Sequence, residues 1–244
     1  VPNLQVRPNL QVRPNLLFSL RLLDQPADAA RAARQAWEAL VYPWGVATLD
    51  PGDPGFHPYH LAPEHYHKDA AYHNGAVWPW LNGIAMQRMI ELGQPDVAWR
   101  LFTNMNEIAL TRGVVGGLPE NLDAYPHPGE SAPRLTGTYL QGWSNAEQLR
   151  VWYQGFLGIQ PDLEQGVIRL APRLPNAVGD VEFKSRIGAG VLHAWYERSD
   201  RGRRYTWRLQ GQSARLDLDI VPFERHSFTA AAGDTLMVEH TADS

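Results

Sequence analysis

The sequence predicts a mainly α fold with a β-rich C-terminal segment: part of an α/α barrel followed by antiparallel strands. Three observations predict it. Between residues 24 and 155, four segments carry apolar residues at helical spacing, separated by long connections rich in Pro, Gly and His. After Gly158 the texture changes to short runs that alternate with period two, punctuated by glycine and charged turns. The order helix, long loop, helix, long loop, helix is the rhythm of α/α barrels, whose loops at one end converge on a pocket and carry function. Four helices make only part of such a ring.

The elements follow in chain order. "PNLQVR" occurs at 2–7 and again at 8–13, with "PNL" at 14–16. A six-residue unit in so few copies is too short for a solenoid. Residues 1–12 are therefore an irregular duplicated segment, and the first ten are expected to be poorly tied down. The barrel region is expected over 13–158 and the β-rich region over 159–244. Asp24 to Tyr42 reads as a helix with Ala30, Trp37, Leu40 and Val41 on one face, stopped by "YPWG". Residues 43–77 form a connection whose length suggests function. A second helix runs from about Trp78 to Leu92 with Leu81, Ala85, Met89 and Leu92 aligned, and Gly93 ends it. A third spans Gln94 to Thr111 on Val97, Leu101, Met105 and Ile108. A loop of about thirty residues follows, within the range that marks functional loops, and a fourth helix begins near Trp143 and fades at Gly155. The strands are expected in "GVIRLAPRL", "GDVEFKSRI", "GVLHAWYERSDRGRRYTWRLQG", "ARLDLDIVPF" and "DTLMVEH", with "RSDRGRR" as a hairpin turn.

Composition excludes several function classes. The 244 residues carry a net charge of −4 with pI near 6.1, so no basic nucleic-acid surface or polybasic membrane patch is expected. With no cysteine there is no disulfide, thiolate catalysis or cysteine–zinc site. That composition suits a reducing cytosol, and a cytoplasmic location is the expectation. No apolar run approaches the ~20 residues that span a bilayer, and the start lacks the pattern of a signal peptide. Nine Trp and nine Tyr make the chain aromatic-rich, with Trp78, Trp80, Trp143 and Trp152 grouped. Such rings stack on the flat C–H faces of sugars, and they also fill cores and interfaces.

Glu120 stands in "GGLPENLDAYPHP" (116–128), behind a Gly-Gly pair and a proline. Glycine permits unusual φ and proline locks it, so this carboxylate is either an ordinary loop charge or a group held at a set angle. Glycoside hydrolysis usually employs two carboxyl groups, which makes a partner acid the companion question. Asp123 could start a turn or cap a helix. "HPYHLAPEHYHKDAAYH" holds His57, His60, His65, His67 and His73, but without HExxH or cysteine a hydrogen-bonding or sugar-contacting role is favoured over a metal. "DAAYHNGAVWPW" (69–80) groups a carboxylate, a phenol, an imidazole and two indoles, with Asn74 as a possible helix cap. Ser144 and Glu147 match the S-x-x-E capping box, so Glu147 is expected to tie down backbone amides.

These pieces in this order resemble the C-terminal part of the amylo-α-1,6-glucosidase family of glycogen-debranching enzymes, whose catalytic domain is an (α/α)6 barrel similar to glucoamylase. The resemblance is carried by "RPN" (13–15), "GVATLDPGDPGFHPYH" (45–60), "DAAYHNGAVWPWLNG" (69–83), "GGLPENLDA" (116–124) and "YLQGWSNAEQLR" (139–150). It implies that Glu120 is the general base activating water in an inverting hydrolysis of α-1,6-linked glucose. It also implies that a carboxylic acid on an earlier barrel segment, with no match here, protonates the leaving oxygen. Asp69, Tyr72, His73, Trp78 and Trp80 are carried over as substrate contacts, with Trp143, Arg13 and Asn15 beside them. Lys68, Ala76 and Gly142 stand where the family usually has Arg, Thr and Ala. The substrate is expected to be an α-glucan or oligosaccharide, without metal or organic cofactor. The chain alone is expected to be incomplete, with the N-terminal half of the same enzyme as its partner. Two alternatives remain open: a glucan-binding remnant lacking the acid, and a related α/α-barrel glucosidase or trehalase.

Overall fold

The computed structural model describes residues 10–199, 202–220 and 226–241, so most of the duplicated N-terminal segment lies outside the described residues. The chain divides into two compact units, 1–149 and 150–244.

The first unit holds α1 (Asn15–Ser19), a 3₁₀ turn (Leu20–Leu22), α2 (Pro26–Leu40), α3 (Lys68–Tyr72), α4 (Leu81–Glu91), α5 (Pro95–Thr111) and α6 (Gly142–Arg150). Proline opens α2 and α5, where its missing N–H costs nothing, and Asp28 and Asp96 sit in their first turns against the positive end of the helix dipole. The buried face of α2 is Ala33, Ala36 and Leu40, with Ala30 and Trp37 at its margin rather than its centre. Helix α4 departs most from expectation. It is buried on nearly every side, including Asn82 and Arg88, because it packs against α1, α2 and α5 at once. The buried polar groups are satisfied: Val46 N–H donates to Asn82 Oδ1 at 2.9 Å, and Arg88 Nε donates to the Leu17 carbonyl at 2.8 Å. Helix α5 buries Ala98, Leu101, Phe102, Met105 and Ile108 against it.

Between the helices run two-residue ribbons: β1 (Val41–Tyr42) with β2 (Gly45–Val46), and β3 (Asn121–Leu122) with β4 (Leu135–Thr136). Residue 77 bridges Ala47 on one side and Leu122 on the other. The connections α2–α3, α3–α4 and α5–α6 are thereby sewn edge to edge.

The second unit begins inside the helical run that α6 starts, with a π-helical turn over Val151–Phe156. Its strands are β5 (Ile159–Asp162), β6 (Val167–Leu170), β7 (Val181–Ile187), β8 (Gly190–Ser199), β9 (Gly202–Gln210), β10 (Ala214–Leu218), β11 (His226–Ala230) and β12 (Thr235–Thr241). One sheet has the order β12-β9-β8-β7 and is antiparallel throughout; the other has the order β11-β10-β6-β5. In the second, β6 and β10 run parallel, which corrects the all-antiparallel expectation. The chain between them passes through β7, β8 and β9, and a connection of that length is what parallel neighbours require. The "RSDRGRR" hairpin forms with Ser199 opposite Gly202, its tip residues 200 and 201 lying outside the described residues.

Alternation places Leu192, Ala194 and Tyr196 opposite Leu209, Trp207 and Tyr205 on one buried face. Tyr196 donates its hydroxyl to the Leu157 carbonyl at 2.7 Å and accepts from Trp207 Nε1 at 3.1 Å. Burial pushes the Tyr196 phenol well above its ordinary pKa. A raised folded-state pKa gives stability that is intact below the unfolded value of about 10 and is lost as pH rises above it. Tyr196→Phe should therefore cost about 1–3 kcal/mol near neutrality by stranding both partners, and should flatten the loss of stability above pH ~10. Urea denaturation across pH measures both.

Among the described residues, no helix is long and apolar enough to cross a membrane.

Candidate active site

The sewn loops converge on Glu120. Backbone bonds run from Thr48 N to the Ala76 carbonyl at 3.2 Å and from Trp78 N to the Val46 carbonyl at 3.1 Å. Others run from Val77 N to the Leu122 carbonyl at 2.8 Å and from Leu122 N to the Val77 carbonyl at 2.9 Å. The motifs "GVAT", "AVW" and "ENLD", distant in sequence, thus lie side by side. Asp123 is 1% exposed and ties in a further stretch. Its carboxylate accepts from His60 N–H at 2.7 Å and lies 2.8 Å from His127 Nε2. It neither starts a helix nor faces solvent; it fastens the loops.

Glu120 is half-buried and held at both carboxylate oxygens. Tyr72 donates to Oε1 at 2.5 Å, and the Thr138 N–H donates to Oε2 at 3.1 Å. Burial, then the bond to Glu120, pushes the Tyr72 phenol up to about 12, so it remains a donor across the physiological range. The backbone explains the angle. Asn121 pairs with Thr136, yet Glu120 N–H reaches the Thr138 carbonyl at 2.8 Å, one residue beyond that register. Gly137 is the extra residue, at φ +70°, a glycine bulge of the kind that re-aims a side chain. A β-carbon there would stand 2.5 Å from Glu120 Oε2, so only glycine leaves room for the carboxylate.

From Glu120 an aromatic wall leads outward. The Tyr72 ring meets Trp78 edge-on at 4.8 Å, His73 stacks on Trp78 at 5.7 Å and 13°, and Trp143 lies 6.0 Å from Trp78 and 6.2 Å from Trp80. These rings border a cavity of about 420 Å³, within the size range of small-ligand sites.

Of the residues expected at the site, Arg13, Asn15, His73, Trp78, Trp80 and Trp143 line this cavity. Tyr72 and Glu120 lie outside that lining; Tyr72 joins Glu120 to it, donating to the carboxylate and meeting Trp78 edge-on. Asp69 is elsewhere: it sits in the first turn of α3, 67% exposed, 3.4 Å from His67. Arg13 borders the cavity but spends its guanidinium on the protein. It donates to the His73 carbonyl at 2.6 Å, to Asn74 Oδ1 at 2.7 Å and to the Thr48 carbonyl at 3.2 Å. Trp152 packs on Phe156 in the second unit.

Two capping expectations are corrected. Asn74 caps no helix; its amide donates to the Ala70 carbonyl at 2.8 Å, while His67 caps α3. Ser144 lies inside α6, which starts at Gly142, and its hydroxyl donates to the Pro119 carbonyl at 3.0 Å. Asn145 adds a bond from Leu118 N–H at 2.7 Å and one to the Gly116 carbonyl at 3.1 Å. "WSN" therefore buckles the loop that carries Glu120 instead of forming a capping box. Glu147 packs against Gly83, where a β-carbon would fall 2.0 Å from its Oε2.

Pro14, Phe18, Thr48 and Leu81 complete the cavity wall and were not anticipated there. Phe18 lies 5.8 Å from Trp80 on a single-turn helix that offers no periodicity to read. The histidines serve as ring partners: His57 on Tyr66 at 4.4 Å, His60 on Tyr72 at 5.0 Å. Among the described residues, no three His, Asp or Glu side chains converge as metal ligands.

The family model described as amylo-alpha-1,6-glucosidase matches residues 2–150. No curated protein matches the chain. Two solved structures are similar at low identity. One, assigned to kojibiose phosphorylase and from the human microbiome, shares 12% identity over 74% of this chain and 22% of its own, with a TM-score of 0.43. The other, a family 63 glycoside hydrolase acting as a mannosylglycerate hydrolase in Thermus thermophilus, shares 18% identity over 58% of this chain and 30% of its own, with a TM-score of 0.36. The chain thus spans less than a third of the length of either.

Proposed function

The chain belongs to the amylo-α-1,6-glucosidase family, a family of glycosidase-type enzymes, and on that premise we propose that it carries the general base and one aromatic wall of an inverting α-1,6-glucosidase acting on a branched α-glucan. The observation that carries this reading is the geometry of Glu120. A carboxylate pinned at one oxygen by a phenol and at the other by a backbone N–H keeps a fixed direction, with lone pairs left to accept a proton from water. The adjoining indoles Trp78, Trp80 and Trp143 would stack on the glucose unit, and His73 would add a polar contact. On this reading the helices of the first unit are an arc of an α/α barrel that other segments of the enzyme complete.

Inversion needs a second carboxyl group, protonated and roughly 6.5–9.5 Å from the base, to leave room for the water. Among the described residues, no carboxylate lines the aromatic cavity itself, and Glu120 adjoins its wall through Tyr72. On this reading the proton donor lies on another segment of the same enzyme, as the family resemblance implies. That same observation favours a second reading, in which the chain by itself binds glucan without cleaving it. Incubation with maltooligosaccharides, panose or limit dextrin, with binding and reducing sugar both measured, separates the two. Turnover of trehalose in preference to panose would reassign the linkage.

Tyr72 supplies a further test. Tyr72→Phe should lower kcat of the complete enzyme about tenfold, a fraction of what a general base contributes, while KM stays near its original value. A changed KM with constant kcat would make Tyr72 a substrate contact instead.

A further inference from the structure

Beside Glu120 lie two side chains whose hydrogen-bonding atoms the reaction above does not use. Asn121 is 0% and Thr136 3% exposed. They are directly opposed across the β3–β4 ribbon, and opposed residues of a ladder project from the same face. Neither atom of the Asn121 amide nor the Thr136 hydroxyl finds a hydrogen-bond partner among the described residues. A buried polar atom without a partner forfeits its whole hydration, and folded proteins nearly always satisfy such groups with protein or an internal water. An internal water typically makes about three hydrogen bonds. Three atoms on two facing side chains suit one such molecule.

The pair also borders the cradle of the base. A β-carbon on Gly137 would lie 2.8 Å from Asn121 Oδ1 and 2.5 Å from Glu120 Oε2, so the bare glycine leaves both oxygens around one small space. Thr136 leads directly into Gly137 and Thr138, whose N–H holds Glu120. Anything that fixes Thr136 fixes that donor.

We propose that Asn121 and Thr136 bind an internal water between their side chains and so lock the 136–138 turn, which makes both of them positioning residues for Glu120. This rests on Glu120 being the base. It explains why a buried ribbon carries an amide facing a hydroxyl, where leucine and valine would fill the space at no cost in hydration.

The test uses Thr136→Val, Thr136→Ser and Glu120→Gln in the complete enzyme. Thr136→Val, which keeps the shape and removes the hydroxyl, should lower kcat about tenfold with KM unchanged, and lower Tm. Thr136→Ser should restore kcat. The proposal is overturned if Thr136→Val keeps kcat or raises Tm, or if the serine variant is as impaired as the valine one. Should Glu120→Gln keep turnover, the assignment of the base fails. Should Glu120→Gln lose turnover while Thr136→Val does not, only the positioning role fails. If Thr136→Val does not fold, a high-resolution crystal structure of the unaltered protein decides. An ordered water within hydrogen-bond distance of Thr136 Oγ1 and the Asn121 amide supports the proposal, and none there overturns it.

Discussion

Glu120→Gln in the complete enzyme is expected to reduce glucose release by about 10²–10⁴-fold, the usual contribution of a general base, while dextrin binding is largely retained. The substitution is nearly isosteric, and the cradle accommodates it. The amide oxygen can accept from Thr138 N–H, and the amide nitrogen can donate to the Tyr72 hydroxyl, which is able to accept. The fold therefore stays, and only the capacity to take a proton is lost. Parallel measurement of turnover and of dextrin affinity checks the claim. Retained turnover refutes the assignment; loss of both indicates a structural role.

Gly75→Ala is expected to have the largest effect on stability. Gly75 adopts φ +150°, a region side chains rarely enter, and a β-carbon there would lie 2.0 Å from the His57 carbonyl oxygen and 2.7 Å from its carbon. The obstacle is backbone, so no rotamer change relieves it. His57 N–H donates to the Asn74 carbonyl at 2.7 Å, and Gly75 N–H donates to Thr48 Oγ1 at 2.9 Å, so separating the segments breaks bonds on both sides. Strain and overpacking together should cost about 3 kcal/mol or more. Because Arg13, which lines the cavity, bonds to His73 and Asn74, the cavity wall should loosen as well. Thermal denaturation reads the first effect and loss of glucan affinity the second; a variant as stable as the parent contradicts the close approach of residues 57 and 75.

The four long helices were legible because burial on one side imposes a 3.6-residue period, and the strands because burial of one face imposes alternation. Helix α4 shows the limit of that logic: its period named one face, but neighbours on several sides bury nearly all of it. Glu120 stood out because Gly-Gly-Leu-Pro is backbone chemistry that shapes a loop. What it leans on did not stand out. Tyr72 and Thr138 reach it from 48 residues before and 18 after, contacts that no local pattern encodes. Arg13 stood out as a substrate contact and does line the cavity, but its bonds to the His73 and Thr48 carbonyls could be read only from the folded positions of those residues. Ser144 matched a capping pattern, but the helix begins two residues earlier and turns the hydroxyl toward Pro119. The parallel pairing of β6 with β10 depends on where a long connection travels, not on the composition of either strand.

The most direct measurement of the central claim, water activated by Glu120 for attack on an α-linked glucose, is proton NMR of the complete enzyme releasing glucose from a branched dextrin, read before mutarotation. The account predicts that the first glucose formed is the β-anomer. An initial α-anomer would contradict it, since retention requires a carboxylate acting on the sugar itself rather than on water.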